Sequence, residues 1–354
     1  MARKVAKRPH VSVLLAVRDG VDAMVRSVES VLNQRCDDFQ LIIAACASCP
    51  SVVARANRYA EHEIRVDVLE LPEPDLGRGR DAALAAARGT HVLLMDEGDW
   101  LSPAYLNDMI AAADATDAEL VVSSLSLESL RADGGRASVS VRPGPRAWTD
   151  AASLRRGVAS LLVEHGVASI AGKLVSRTLL QRADARFAGA DPFELALAVL
   201  DAAERASIAQ APCYHVALGR GGARAAFDPE LFSRCERHHA RLLGQLTRWG
   251  AADLETLRAA HNLHLTEVIR CIENVSLAPG RLSAIERRRR VQDMIDAPST
   301  RASIEALRSS SRDFGLMFAP IARRSAAACC MGARIQDIVA RALAPVAHPR
   351  LACI

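Results

Sequence analysis

Short, almost uninterrupted apolar runs recur through the first third of the chain, each followed by a segment with helical spacing. Residues 11–17, 39–45 and 91–95 are the clearest of these runs. A strand apolar on both sides is one covered on both faces, and a strand that is followed by a helix before the next strand builds a parallel sheet. Residues 64–71 alternate like a further strand. Met24, Val25, Val28, Val31 and Leu32 repeat at helical spacing between the first two runs, and residues 52–62 and 81–88 read as the next helices. The pattern predicts an α/β fold with a doubly wound, mainly parallel sheet. Helix over 103–115, strand over 119–125, a hairpin or loop region over 132–146, helices over 154–164, 174–182 and 192–205, and a closing strand over 208–216 follow. From Asp228 onward the pattern is helical and rich in Arg, with breaks near Pro279, Pro298 and Pro320.

Composition narrows the function classes. Half of the 354 residues are hydrophobic and 24% are charged, as in ordinary globular chains. A net charge of +4 and an aromatic content of 4% speak against a nucleic-acid partner, which needs a strong basic field or stacking platforms. Nine Cys residues without framework spacing are expected as small buried hydrophobes. Cys46-Ala-Ser-Cys49 is the one pair spaced for redox or metal chemistry, and it lacks a second pair at zinc spacing. The basic start followed by residues 11–17 imitates a signal peptide, yet the apolar run is short and ends in Arg18-Asp19. No apolar stretch nears the roughly 20 residues that span a bilayer. The expectation is a cytoplasmic protein. A Rossmann dehydrogenase is disfavoured because the first strand-to-helix turn, Ala16-Val-Arg-Asp-Gly20, lacks the glycine spacing that admits a pyrophosphate.

One apolar run ends in acid: Leu94-Met95 passes directly into Asp96-Glu97-Gly98-Asp99. Carboxylates at the carboxyl edge of such a sheet stand where open α/β folds bind ligands, and they are the oxygen donors Mg²⁺ or Mn²⁺ prefers. The same residues also read as a solvated turn before a helix started by Ser102-Pro103.

Four local signatures in order resemble family-two glycosyltransferases. They are Val11-Ser-Val-Leu-Leu-Ala-Val-Arg-Asp-Gly20; Glu29-Ser-Val-Leu-Asn-Gln34 with Asp38-Phe-Gln-Leu-Ile-Ile43; Gly77-Arg-Gly-Arg-Asp81 through Ala85-Ala-Ala-Arg-Gly89; and Leu94-Met-Asp-Glu-Gly-Asp-Trp-Leu-Ser-Pro103. Gly172-Lys-Leu-Val-Ser-Arg177, Arg186-Phe-Ala-Gly-Ala-Asp191-Pro-Phe and Ala211-Pro-Cys-Tyr-His215 extend the resemblance to about residue 220. It implies an A-type nucleotide-diphospho-sugar transferase fold and inverting transfer of a sugar from a nucleotide-diphosphate donor to an acceptor hydroxyl. The expected setting is cell-envelope or surface polysaccharide synthesis. A glycan or lipid-linked acceptor follows, with Mg²⁺ or Mn²⁺ as cofactor. Asp191 is the candidate general base. Arg18, Asp19, Cys46, Arg80, Asp96 and Glu97 are the candidate donor contacts, and Asp96 and Asp99 the candidate metal ligands.

Each has a plainer alternative. Asp191 before Pro192 can be a helix N-cap, Arg80 a solvated charge, and Lys173 half of a surface ion pair. His215 and His238-His239 are expected to be structural. The chain also departs from the family pattern. Ala45-Cys46-Ala47-Ser48 stands in place of "DDGS", Gly98 in place of the usual metal-binding Asp, and Ala190 in place of the Glu before Asp191. These losses leave a second reading open, a catalytically degenerate scaffold or partner subunit. The organisation expected is a basic tail at 1–9, a glycosyltransferase-like domain at 10–222 (donor half to about 125) and a helical region at 223–354. The last could carry a homodimer contact or a peripheral membrane contact on the inner face of the membrane.

Overall fold

A computed structural model describes residues 9–18, 20–47, 49–130, 136–141, 144, 146–164, 169–218, 227–278 and 280–342. Two compact units result. The first comprises residues 1–128, 140–154 and 167–217; the second comprises 129–139, 155–166 and 218–354. Both short segments of the second unit come from within the stretch that the sequence assigns to the acceptor half.

The elements of the sheet region run β1 (Val11–Val17), α1 (Val21–Leu32), β2 (Phe39–Cys46), α2 (Pro50–His62), β3 (Val66–Leu71), α3 (Leu76–Ala86), β4 (His91–Met95), β5 (Trp100–Leu101), α4 (Tyr105–Thr116) and β6 (Leu120–Leu130). They continue as β7 (Arg136–Val141), β8 (Arg146–Trp148), α5 (Ala151–Arg156), α6 (Val158–Glu164), β9 (Lys173–Ser176), α7 (Arg177–Arg182), α8 (Pro192–Ala202) and β10 (Ala206–Leu218). The strand order is β3-β2-β1-β4-β9-β6-β10-β5. β3, β2, β1 and β4 are parallel, with Val11 opposite both Phe39 and His91. β9 then runs antiparallel to β4 and to β6, with Leu174 opposite Leu93 and Val121. The sheet is therefore parallel in its donor half and mixed beyond it. Every residue of β1 and of β2 is buried, which explains why the two read as unbroken apolar runs.

Residues 174–182 are not one helix: Lys173–Ser176 is a strand, and Ser176 caps the short helix behind it by accepting from the Leu179 amide at 3.1 Å. Leu174 and Val175 satisfy helical spacing, but their pairing partners lie in β4 and β6, and no local period encodes that. Within 132–146, the described part contains β7 and the start of β8, while 132–135, 142–143 and 145 lie outside the described residues.

Ser12 and Gln40, buried on β1 and β2, belong to one connected polar network. Ser12 Oγ donates to Gln40 Oε1 at 2.7 Å, Gln40 Nε2 donates to Asp67 at 2.7 Å, and the amides of Arg88 and Gly89 donate to Gln40 and Ser12 at 2.9 Å each. A connected network of this kind avoids the penalty of burying an unmet polar group.

After β2 the backbone turns left-handed at Ala47, with φ +43°. This is where the family pattern carries Gly, so the turn persists although its usual residue does not. An L side chain in that region costs about 1–2 kcal/mol. Ala47→Gly is expected to raise stability by about 0.5–1 kcal/mol after the entropy that Gly adds to the unfolded chain. Urea unfolding reads it, and a lowered midpoint would refute the assignment.

The second unit contains α9 (Leu231–Arg248), α10 (Leu254–Ser276), α11 (Ala284–Asp296), α12 (Pro298–Ala306), a 3₁₀ segment (Arg308–Met317), α13 (Phe318–Ala322) and α14 (Ala326–Ala342). α10 packs against α6, α9, α11, α12 and α14. Their core includes Leu265, Val268, Ile272, Val291, Ile295, Met317, Ile321 and Cys329. No described helix is long and apolar enough to cross a membrane.

Candidate functional site

The acidic turn after β4 is held from several directions. Both oxygens of Glu97 accept backbone amides of the first strand-to-helix turn, from Arg18 at 3.2 Å and Gly20 at 3.0 Å. A Cβ on Gly20 would lie 2.9 Å from the Glu97 carboxylate, so a larger residue there would displace the Glu97 side chain. From α1, Ser27 Oγ accepts from the Gly98 amide at 2.9 Å and donates to the Asp99 carbonyl at 2.8 Å, and Arg26 donates to the Gly98 carbonyl at 3.2 Å. Gln34, the last residue of the Glu29–Gln34 signature, donates to the Ser102 carbonyl at 2.8 Å and accepts from the Leu106 amide at 2.9 Å. The signature thus ties α1 to the start of α4.

Asp99 lies inside the fold, 5% exposed. Its Oδ2 accepts from the Tyr214 hydroxyl at 2.6 Å and its Oδ1 from the Ala217 amide at 2.8 Å. It pins β10 to the acidic turn, and the same Tyr214 hydroxyl accepts from the Asp96 amide at 3.1 Å. Gly172, at φ +66°, lets the chain pass the Tyr214 ring, where a Cβ would sit at 2.6 Å. Burial pushes the Asp99 carboxyl up to about 7 from an ordinary 3.8, against the two hydrogen bonds that favour its anion. The folded state then binds this proton more tightly than the unfolded one. The stability it contributes is complete below the ordinary carboxylate pKa and is lost as pH rises towards 7. The loss is on the order of 2–4 kcal/mol. Asp99→Asn should flatten the dependence of unfolding free energy on pH between about 4 and 7. An unchanged slope would count against this account.

Asp96 stands at the mouth of this turn and forms an ion pair with Arg80 of α3, Nη2 to Oδ1 at 2.5 Å. The Arg80 Nε is buried and has no hydrogen-bond partner among the described residues. α3 begins earlier than its spacing suggests, because Asp75 caps it by accepting from the amides of Gly77 and Arg78 at 2.8 and 3.1 Å. Asp81, beside Arg80, accepts from the amides of Phe187 and Ala188 at 2.8 and 3.0 Å. Gly77 comes so close to the Phe187 carbonyl that a Cβ would lie 2.6 Å from it. One helical turn therefore reaches both Asp96 and the turn that leads to Asp191.

Asp191 caps α8: its Oδ1 accepts from the Phe193 and Glu194 amides at 2.9 and 3.4 Å, and Pro192 takes the first helical position. Cys46 is fully buried, and a Cβ on Gly79 would come within 2.3 Å of its Sγ. Burial pushes its thiol pKa up, so it packs beneath α3 and offers a donor molecule no surface. The Arg18 side chain is exposed at the turn. Asp19 lies outside the described residues. Lys173 has no ion pair among the described residues: it is half-buried, donates to the Ser169 carbonyl at 2.5 Å, and burial lowers its pKa to about 8. His215 stacks on Trp100 with ring centroids 5.0 Å apart and bonds Glu128 at 2.9 Å. Sequence reasoning missed Ser27, Asp81, Glu128 and Tyr214. Asp81 lay inside the third signature and Tyr214 inside the Ala211–His215 segment, whereas nothing local marks Ser27 or Glu128.

The family implies a divalent cation, but the donor set at this edge does not fit a resident one. Both oxygens of Glu97 and both of Asp99 accept protein donors, and Asp96 already faces the Arg80 cation. Gly98 offers no side-chain oxygen, and its φ of +96° disfavours any L residue there. Among the described residues, Cys235, Glu236 and His264 of the helical unit are the one set of three His, Cys, Asp or Glu side chains whose ligand atoms lie within 4.8 Å of one another.

Comparison with known proteins accords with this architecture. The model of the Glycosyl transferase family 2 matches residues 12–133. EpsH of Bacillus subtilis, a candidate glycosyltransferase, is 32% identical over 121 residues, which cover 34% of this chain and 35% of EpsH. The succinoglycan biosynthesis protein ExoO of Rhizobium meliloti is 29% identical over 124 residues, 35% of each chain. This chain thus spans about a third of the length of the curated relatives it matches. The crystal structure of S. aureus TarS 1-349 in complex with UDP superposes with a TM-score of 0.58 at 15% identity, over 92% of this chain and 90% of that one. The complex of the same protein with UDP-GlcNAc gives 0.58 at 14% identity, over 92% and 91%. At such identity the likeness is one of fold, the A-type nucleotide-diphospho-sugar transferase fold. Residues 12–133, which carry the four signatures in order and build the parallel part of the sheet, match the model of glycosyl transferase family 2.

Proposed function

We propose that this chain transfers a sugar from a nucleoside-diphosphate sugar to an acceptor hydroxyl in polysaccharide biosynthesis, with inversion at the anomeric carbon. The observation that carries the reading is Arg80. Its guanidinium stands at the carboxyl edge of β4 against Asp96, with a buried Nε–H that no described residue accepts. An unmet buried donor costs about 1–3 kcal/mol. A diphosphate oxygen would accept from it, and a fixed guanidinium suits phosphate geometry. The Arg18 amide, the Gly20 amide and Glu97 would border the nucleoside, with Asp96 orienting Arg80. The names of the relatives support a sugar-polymer setting, and the nucleotide complexes of the structural neighbour support the donor class.

In this reading Asp191 removes the proton of the acceptor hydroxyl as its oxygen attacks the anomeric carbon. The bond from that carbon to the diphosphate breaks in the same displacement, so the configuration inverts. Negative charge grows on the leaving diphosphate, where the Arg80 guanidinium meets it. No step is assigned to a metal ion. The division into a donor half, an acceptor half and a helical region belongs to this proposal as well.

A second reading, a non-catalytic relative that binds donor or partner without turnover, draws on the same turn. The acids expected of "DDGS" are absent, and Glu97 and Asp99 spend their oxygens on the protein itself. A thermal-shift panel of sugar nucleotides, run beside a hydrolysis assay, separates the two. Stabilisation by a donor with release of its nucleoside diphosphate supports transfer. Stabilisation without release supports the scaffold, and no response to any donor refutes both.

A further inference from the structure

The helical unit contains a cluster of sulfur, nitrogen and oxygen donors that the glycosyl-transfer reading does not use. Cys235 and Glu236 lie on α9, and His264 lies on α10. The Cys235 Sγ, a Glu236 carboxylate oxygen and a His264 ring nitrogen all fall within 4.8 Å of one another. Tetrahedral zinc with bonds of about 2.0–2.3 Å needs its ligand atoms about 3.4–3.8 Å apart. The three groups need to move by about an ångström to reach that spacing.

The surroundings match what a ligating histidine requires. His264 is 2% exposed, and its Nδ1 meets Ser303 Oγ at 2.8 Å while its Nε2 faces Glu236 Oε1 at 2.9 Å. A second ring nitrogen engaged with an oxygen fixes the tautomer and aims the first nitrogen at the metal. Ser303 Oγ also meets His261 Nδ1 at 3.0 Å, so it is able to donate to one imidazole while accepting from the other. Glu236 is oriented in turn by a hydrogen bond from Ser299. These contacts place α9, α10 and α12 around one point.

An independent sign that a ligand is missing comes from His239, one turn after Cys235 on α9. It is 6% exposed, its ring stacks on that of His264 with centroids 3.9 Å apart, and its Nδ1 has no hydrogen-bond partner among the described residues. Buried polar atoms in folded proteins are almost always met, so an orphan beside three metal-type donors calls for an explanation.

We propose that Cys235, Glu236 and His264 bind one zinc ion, with a water molecule at the fourth position. On binding, the thiol proton of Cys235 passes to solvent and the sulfur binds as thiolate. The imidazole proton that Nε2 shares with Glu236 moves to Nδ1, where it is donated to Ser303 Oγ, and the freed Nε2 lone pair goes to the metal. The mixed sulfur, nitrogen and oxygen set selects a borderline-soft ion over Mg²⁺ or Ca²⁺. Because the donors come from two helices and the second shell from a third, the ion ties the unit together.

The test uses the full chain, freed of any affinity tag and stripped with a chelator. Titration with Zn²⁺ should give one ion per chain by elemental analysis and a rise in Tm. Titration with Co²⁺ should give a sulfur-to-cobalt charge-transfer band together with the strong visible bands of a tetrahedral site. Cys235→Ser should abolish the charge-transfer band, and Glu236→Gln should lower Zn²⁺ affinity at least tenfold. Cys329→Ser, a buried thiol elsewhere in the unit, should leave both unchanged. The metal-free Tm of each variant shows whether it folds. Sub-stoichiometric zinc in the wild type, or a cobalt spectrum unaltered in folded Cys235→Ser, overturns the proposal. It rests on the helical unit alone, so either result leaves the glycosyl-transfer reading untouched.

Discussion

Asp191→Asn should lower kcat of sugar transfer by about 10²–10⁴-fold and leave stability nearly unchanged. Two roles meet in this side chain, and the substitution divides them. The side-chain oxygen that accepts from the Phe193 and Glu194 amides survives in Asn, which caps helices about as well as Asp. The capacity to take a proton from the acceptor hydroxyl does not survive. Asp191→Ala removes both roles and should cost a further ~1 kcal/mol of stability from the lost cap. Steady-state kinetics with the donor found in the panel, together with urea unfolding of both variants, reads the two effects. If folded Asp191→Asn keeps wild-type kcat, the base lies elsewhere and Asp191 is a cap alone.

Arg80→Met should weaken nucleoside-diphosphate binding by about 10–150-fold, the equivalent of losing about 1.5–3 kcal/mol of charge-assisted hydrogen bonding. Met preserves much of the side-chain length while removing the group that pairs with Asp96 and carries the orphaned Nε. The loss should be larger for the diphosphate than for the free nucleoside. Arg80→Lys should recover part of it, since Lys restores charge without the planar fork. Calorimetric titration with UDP, repeated in excess chelator, gives the second half of the result. Wild-type affinity should not change on chelation, because the acids of this turn are committed to protein donors. Binding that disappears with the chelator would show that a cation, rather than Arg80, meets the diphosphate.

The contrast between Asp96 and Asp99 shows how far a motif carries. Both lie in one tetrapeptide and were assigned the same role as metal ligands. Asp96 faces Arg80, sixteen positions back in the chain, and both belong to signatures visible in the sequence. Asp99 faces Tyr214, 115 positions ahead, and is spent on holding β10 to the turn. Cys46 gives the same lesson from the other side. Its place at the end of β2 suggested a donor contact, whereas the absent side chain of Gly79 leaves room for it under α3. Gly98 looked like a missing carboxylate; with φ at +96° it is also a position where a restored Asp would strain the backbone. Lys173, an outlier in a chain whose basic residues are nearly all Arg, proved half-buried rather than a surface partner.

The sequence by itself determined the alternation of strands and helices in the donor half, the order of the signatures and the helical character of the C-terminal region. Burial on both faces and helical period are written in near neighbours, and motif order is written along the chain. Tertiary structure alone decided that β9 is a strand, that Asp99 points inward, that Asp81 anchors the turn before Asp191, and that Cys235, Glu236 and His264 meet. Each of those outcomes depends on a partner contributed by a distant segment. The free energy of such a contact comes from removing two remote groups from water together, and neither segment carries a local pattern that records the other.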